Sequence, residues 1–258
     1  MIIENPHQLA IVPKRIISLV PSISALLHYL QLDQETIGIT KFCTIPETWK
    51  QRKAIIGGTK NINIEKVRTL NPDLIICNRE ENLKPQIELL AADFPIWLTD
   101  VKNLEDNNQM ISDIGKLTGK ERESIMLIQQ IKNSFLEDRN RPRKHRAAYL
   151  IWKEPFMTVG GDTFINDMME RAGFDNIFNY KSRYPVIELN DIINHECEIL
   201  LLSDEPYPFN NDHLNELKKM LPNIDIHLVN GIFFSWYGSE ILHSAEYFKE
   251  IYNKIHIN

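Results

Sequence analysis

Residues 63–77, NIEKVRTLNPDLIIC, constrain the fold more than any other stretch of the chain. A helical pattern ends at Asn71-Pro72, because the residue before a proline is driven out of the helical region. DLIIC follows as an apolar run of strand length. A strand that is apolar on both sides needs cover on both faces, which means a parallel sheet between layers of helix. The theme recurs along the chain. RIISLV (15–20) reads as a strand entering a helix over 23–32 through Pro21-Ser22, with Ser22 as its N-cap. Residues 81–92 read as helix and PIWL (95–98) as strand. RAAYLIW (146–152) opens the second half, followed by a Gly160-Gly161-Asp162 turn. A helix over 163–172 comes next, capped by Asp162 or Thr163 and stopped by Gly173. Residues 192–197 then lead into EILLL (198–202), matching the earlier helix-then-strand unit.

Between the halves, residues 120–138 contain neither Gly nor Pro. At 1.5 Å per residue such a helix is ~30 Å long, about the span of a small domain. The expectation is an α/β protein of two lobes, each a mainly parallel sheet covered by helices, joined by one long backbone helix. The boundaries expected are an N-terminal lobe at 1–118, a connecting helix at 119–140 and a C-terminal lobe at 141–258. A single stiff crossover permits modest tilting of lobes rather than a wide swing.

A formal net charge of −6 argues against a nucleic-acid partner, since phosphate binding needs a basic face. The basic run RNRPRKHR (139–146) reads as a solvated stretch between domains. Cys43, Cys77 and Cys197 are odd in number and widely spaced, resembling neither a disulfide framework nor a zinc site. The start, MIIENPHQLAIVPKR, lacks the basic region and apolar stretch of a secretory signal. No segment approaches the ~18–20 apolar residues of a membrane span. The chain as it stands reads as cytoplasmic and not membrane-embedded, or as periplasmic if a leader has been removed.

Ligands of doubly wound sheets sit beyond the C-terminal ends of the strands. Those ends carry Pro21-Ser22, then Lys41-Phe42-Cys43, then NREEN (78–82) in the first half. In the second they carry KEPFM (153–157), SDEPYP (203–208) and GIFFSWYG (231–238). The last segment is the most specific signal. Four aromatic residues between Gly231 and Gly238 suggest a loop that grips a large flat ligand, although part of the set would simply pack on the next helix. Candidate contacts are therefore Pro21, Ser22, Phe42, Cys43, Glu80, Phe156, Glu205, Tyr207, Phe233, Phe234, Ser235, Trp236 and Tyr237. Arg183-Tyr184, in YKSRYPV, either supplies a cation and a phenol to an anionic ligand or forms a surface turn before Pro185.

Glu80, Glu81, Asp204 and Glu205 suggest acid–base chemistry, but no nucleophile and oriented base accompany them. There is no GxSxG, HExxH or GxxxxGK[ST], and Gly57-Gly58 and Gly160-Gly161 read as turns. No catalytic residue is assigned, and no cofactor is required. Cys43 and His243 are the weak candidates for direct metal binding; a lone cysteine is more often a small buried hydrophobe.

Taken together, RIISLVPSISALLHYL, NINIEKVRTLNPDLIICNREEN and GGDTFINDMMERAGFDNIF, in that order, carry a resemblance. The chain resembles the helix-linked (class III) ABC-transporter solute-binding proteins, in particular their cobalamin-binding branch, also called helical-backbone metal receptors. The resemblance implies a cobalamin-like corrinoid or an iron chelate held between two lobes by aromatic residues, in a monomer that serves an ABC permease. It places Phe42-Cys43, Phe156 and residues 233–236 at the family's aromatic positions. It also implies docking on the permease through one surface Glu per lobe: Glu65 matches the first, and Ser235 stands at the second. The competing expectation is a cytosolic enzyme or chaperone acting on the same class of compound.

Overall fold

The computed structural model describes residues 1–136 and 144–256. They form two compact units. One comprises Met1–Val101, Glu105–Ile131 and Tyr237–Glu240; the other comprises Lys102–Leu104, Lys132–Trp236 and Ile241–Asn258.

The first unit contains β1 (Ile2–Ile3), β2 (Ile16–Ser18), α1 (Pro21–Tyr29), β3 (Thr36–Ile39), α2 (Trp49–Arg52) and β4 (Ala54–Ile55). It continues with α3 (Ile64–Leu70), β5 (Leu74–Asn78), α4 (Lys84–Asp93), β6 (Ile96–Thr99), α5 (Leu104–Thr118) and most of α6 (Glu121–Leu136). Its strands lie in the order β1-β6-β5-β2-β3-β4, every pair parallel. Ile16 faces Leu74 and Ile75 faces Ile96 across the central ladders. Ile16, Ile17 and all of Leu74, Ile75, Ile76 and Cys77 are fully buried, as cover on both faces requires.

Local chemistry sets these elements. Asn63 caps α3 by accepting the Lys66 N–H at 2.9 Å. Asn71 ends the helix in the left-handed region at φ 45°. Asp73 then accepts the backbone N–H groups of Lys14 and Arg15 at 2.7 and 2.8 Å, which fixes the register of β2 beside β5.

The second unit contains β7 (His145–Leu150), α7 (Phe164–Arg171), β8 (Phe174–Asn176), α8 (Leu189–Asn194) and β9 (Ile199–Ser203). It closes with α9 (Asn211–Met220), β10 (Asp225–Val229), α10 (Ile232–Ser235) and α11 (Ile241–His256). The sheet order is β10-β9-β7-β8, again all parallel. Ala148, Leu150, Leu200 and Leu202 meet Phe178, Ile192 and Leu217 in its core. Thr163, not Asp162, caps α7.

Three sequence expectations are corrected here. Ser22 does not cap α1: the N-cap is Val20, Pro21 occupies the first turn, and Ser22 is buried within the helix. The helix expected over 81–92 begins at Lys84, because residues 78–82 are tied into a turn by their own amide side chains. The aromatic segment 231–238 is not an open loop but contains the helical turn α10. The described part of the long helix ends at Leu136; residues 137–143, with most of the basic run, lie outside the described residues.

Candidate functional site

In a doubly wound sheet the natural binding position lies where the chain reverses its direction of winding. In the first unit, β2 leads to β3 on one side while β5 lies on the other, so the reversal falls between β2 and β5. In the second it falls between β7 and β9. Each unit therefore offers one strand-end surface.

The first surface is organised by Asn82. Its buried side-chain amide donates to the carbonyl oxygens of Leu19 and Thr59 at 3.1 and 3.0 Å, and its Oδ1 accepts the Asn78 N–H at 2.9 Å. Three strand-end segments are thus tied to one side chain. Asn78 Oδ1 in turn accepts the Glu80 N–H at 2.8 Å, and Lys60 Nζ donates to the Glu80 carbonyl. Pro21 opens α1 beside this knot. Phe42 presents a ring 51% exposed, with the Lys41 ammonium 5.0 Å from its centroid. Gly58 makes room for it, since a Cβ there would lie 3.0 Å from Phe42 Cε2.

Cys43 takes no part in this surface. It is fully buried, and its thiol donates to Ser24 Oγ at 3.0 Å, within a chain that continues to Ser18 Oγ at 2.9 Å. The expectation of a ligand or metal contact there is corrected: the side chain is a small core group. Cys77 and Cys197 are buried too, and burial pushes both thiols up to about 12. His243 is exposed on α11. Among the described residues, no group of three or more His, Cys, Asp or Glu side chains gathers as a metal site.

The second surface carries aromatic rings. Trp152, just beyond β7, is 41% exposed and meets Tyr207, beyond β9, edge to face at 5.5 Å. Tyr207 packs on Phe209 at 4.8 Å, and its hydroxyl lies 3.1 Å from His213 Nε2. Phe156 lies half-buried against the same core cluster. Arg183 and Tyr184 are brought to this region by backbone pairing. The Ile187 N–H donates to the Phe156 carbonyl at 3.0 Å, and the Gly160 N–H donates to the Arg183 carbonyl at 2.7 Å. Asp162 accepts the Arg183 N–H at 2.6 Å, holding that residue at φ 59°. Gly160 and Gly161 therefore form a turn that leaves no space for phosphate. A Cβ on either would sit 2.3 or 2.2 Å from the carbonyl of Lys181 or Asn179.

The aromatic turn divides its rings. Phe234 is fully buried between Tyr149 at 5.1 Å and Phe248 at 4.7 Å, so its assignment as a ligand contact is corrected. Phe233 packs on Tyr247 at 4.5 Å. Ser235 donates to Glu205, and Trp236 and Tyr237 retain 9% and 6% exposure. Glu65 stands on the first turn of α3 with 80% of its side chain exposed, paired with Arg68 at 2.7 Å.

Trp152 and Asn82 are the residues that sequence reasoning missed. Trp152 ends an apolar strand and reads as its last core position; Asn82 is masked by the acidic run around it. A groove of about 190 Å³ lined by Ile193, Cys197, Met220 and Leu221 does not belong to the site. Its lining precedes β9 and β10, at the opposite ends of the strands.

A model of the family described as periplasmic binding protein matches residues 16–220. An uncharacterized ABC transporter substrate-binding lipoprotein of Bacillus subtilis, YvrC, is 25% identical over 169 residues, 61% of this chain and 53% of that one. The chain thus spans about half the length of that relative. A vitamin B12-binding protein of Yersinia pestis is 23% identical over 198 residues, covering 74% of this chain and 69% of its own. Among solved structures, a periplasmic heme binding protein of Pseudomonas aeruginosa superposes with a TM-score of 0.79 at 15% identity, over 93% of each chain. That likeness is one of fold.

Proposed function

The chain belongs to the periplasmic binding protein family, and on that premise we propose that it is the solute-binding component of an ABC-type uptake system for a cobalamin-like corrinoid or an iron chelate. The observation that carries the reading is the Trp152–Tyr207 pair, an exposed edge-to-face couple at the winding reversal of the second sheet. Flat conjugated ligands bind on such rings. Phe42 supplies a comparable ring on the strand-end surface of the first unit. The B12-binding and heme-binding names of the relatives support the same chemical class.

The matched family and its neighbours are solute-binding proteins rather than enzymes, which favours binding over turnover. No cofactor is invoked, since the chelate is cargo. Glu65 is the docking contact for a permease, and the protein works as a monomer. The lipoprotein and periplasmic names of the relatives support a place outside the cytoplasmic membrane and give the cytoplasmic expectation no support. Among the described residues no helix is long and apolar enough to cross a membrane.

Titration with cyanocobalamin, hemin and a ferric siderophore, followed by tryptophan fluorescence, tests the reading. Saturable quenching by one class supports it. No response to any of the three sinks it, and recovery of a chemically altered ligand after incubation transfers the case to an enzyme.

A further inference from the structure

Glu205 was expected to face the ligand, yet its carboxylate is engaged from within the second unit. It accepts the Ser235 hydroxyl at 2.7 Å and the side-chain N–H of Trp236. The indole N–H is the single polar donor of a tryptophan side chain, so this contact orients the ring plane. Beside it, Asp204 Oδ1 accepts the Gly231 N–H at 2.7 Å, and Ser203 Oγ donates to the Glu205 carbonyl at 2.6 Å. A Cβ on Gly231 would lie 2.5 Å from Glu205 Cγ, so the close approach is built into the backbone.

Three consecutive residues at the end of β9 thus fasten α10 at both ends: Asp204 holds its start and Glu205 its finish. The element is four residues long, a single turn with no stability of its own. Its direction depends on what grips it. Keeping a carboxylate here also has a cost. Burial pushes the Glu205 carboxyl up; the Ser235 hydrogen bond opposes this, Asp204's charge adds to it, and the Trp236 hydrogen bond opposes it again. Asp204 is the charged group facing it, and the fully buried Tyr149 phenol lies behind Ser203, 3.0 Å from that hydroxyl.

We propose that Glu205 is a positioning residue of the solute site, acting through Ser235 and Trp236 to set the direction in which the Trp236 indole meets the ligand. The proposal rests on the solute-binding reading above, and its test separates the two.

The full chain is labelled with 5-fluorotryptophan, and the Trp236 resonance is assigned by its loss in Trp236→Phe. Glu205→Ala should move that resonance while leaving those of Trp49 and Trp97 in place. It should also weaken, at least tenfold, whichever of cyanocobalamin and hemin the wild type binds. Glu205→Gln should keep the resonance in place and affinity within threefold, because its Oε1 accepts the same two donors. If the wild type binds neither probe, that failure belongs to the solute reading, and the fluorine shift alone decides the positioning role. An unmoved Trp236 resonance in Glu205→Ala, or a moved one with unchanged affinity for a probe the wild type binds, overturns the proposal. Should Glu205→Ala not fold, Ser235→Ala removes one of the two donors and carries the same readouts, and an unmoved resonance there overturns it equally.

Discussion

The side-chain amide of Asn82 donates to the carbonyl oxygen of Leu19 at 3.1 Å, across 63 residues of sequence. With Thr59 as its second acceptor, Asn82 bonds three separate strand-end segments of the first unit. Its removal leaves buried carbonyl groups without a partner, at a cost of about 1–3 kcal/mol each. Asn82→Ala should therefore lower stability by about 2–4 kcal/mol. Asn82→Asp should be at least as damaging, because a carboxylate cannot donate. Denaturant unfolding measures both.

Trp152→Ala should weaken ligand affinity by about 1–3 kcal/mol, the range for a large aromatic at a binding centre, with little change in melting temperature. Trp236→Ala is expected to do the same. Phe234→Ala should behave oppositely, costing about 3–5 kcal/mol of stability as a core cavity. Paired titration and thermal melts distinguish the two patterns. A Trp152→Ala variant that unfolds readily yet binds normally would return that ring to the core.

Asp33 is held below its ordinary value of 3.8. Burial pushes it upward, but the Trp49 indole N–H and the Lys53, Arg52 and His28 charges outweigh that. A depressed carboxyl stabilises the fold above its ordinary value and loses that contribution as pH falls through the depressed one. The wild type should therefore lose stability in acid more steeply than Asp33→Asn, as read by melts from neutral pH down to about pH 2–3.

Glu205 has the opposite sign. Its carboxyl is raised from 4.5, so its contribution is fully present below that value and lost as pH rises through the raised one. At neutral pH the ionised, half-buried group works against the fold. Glu205→Gln should then melt above the wild type at pH 7–8, with the gap narrowing toward pH 4–5. A gap that is constant with pH would remove ionisation as the cause.

Glu65→Lys should leave ligand affinity and melting temperature near wild type, since an exposed ion pair of this kind is worth about 0–1 kcal/mol. Transport in a reconstituted system should fall. Uptake that survives the charge reversal would take Glu65 out of the docking surface.

Backbone punctuation was legible because its causes are local. Asn63, Asn71 and Pro72 bracket α3 through contacts within a few residues, and the wholly apolar DLIIC announces a doubly covered strand. The direction of single side chains was not legible. Four aromatic residues in five positions have no period, so nothing in the string separates the buried Phe234 from its neighbours. Glu205 and Cys43 look like strand-end ligands in the sequence. Their actual partners, Ser235 and Ser24, lie 30 and 19 residues away and are chosen by packing. Asn82 failed for the same reason in reverse: a residue that joins distant carbonyls carries no local mark.

The Gly160-Gly161 turn has a bearing on how such a receptor changes its tastes. It grips the 181–187 segment through main-chain atoms, with Asp162 as the only side chain enlisted. The path of that segment is therefore indifferent to most of what it displays. Replacements at Tyr180, Arg183 or Tyr184 swap the chemistry offered to a guest while the ribbon beneath stays put, a ready-made bench for retuning selectivity.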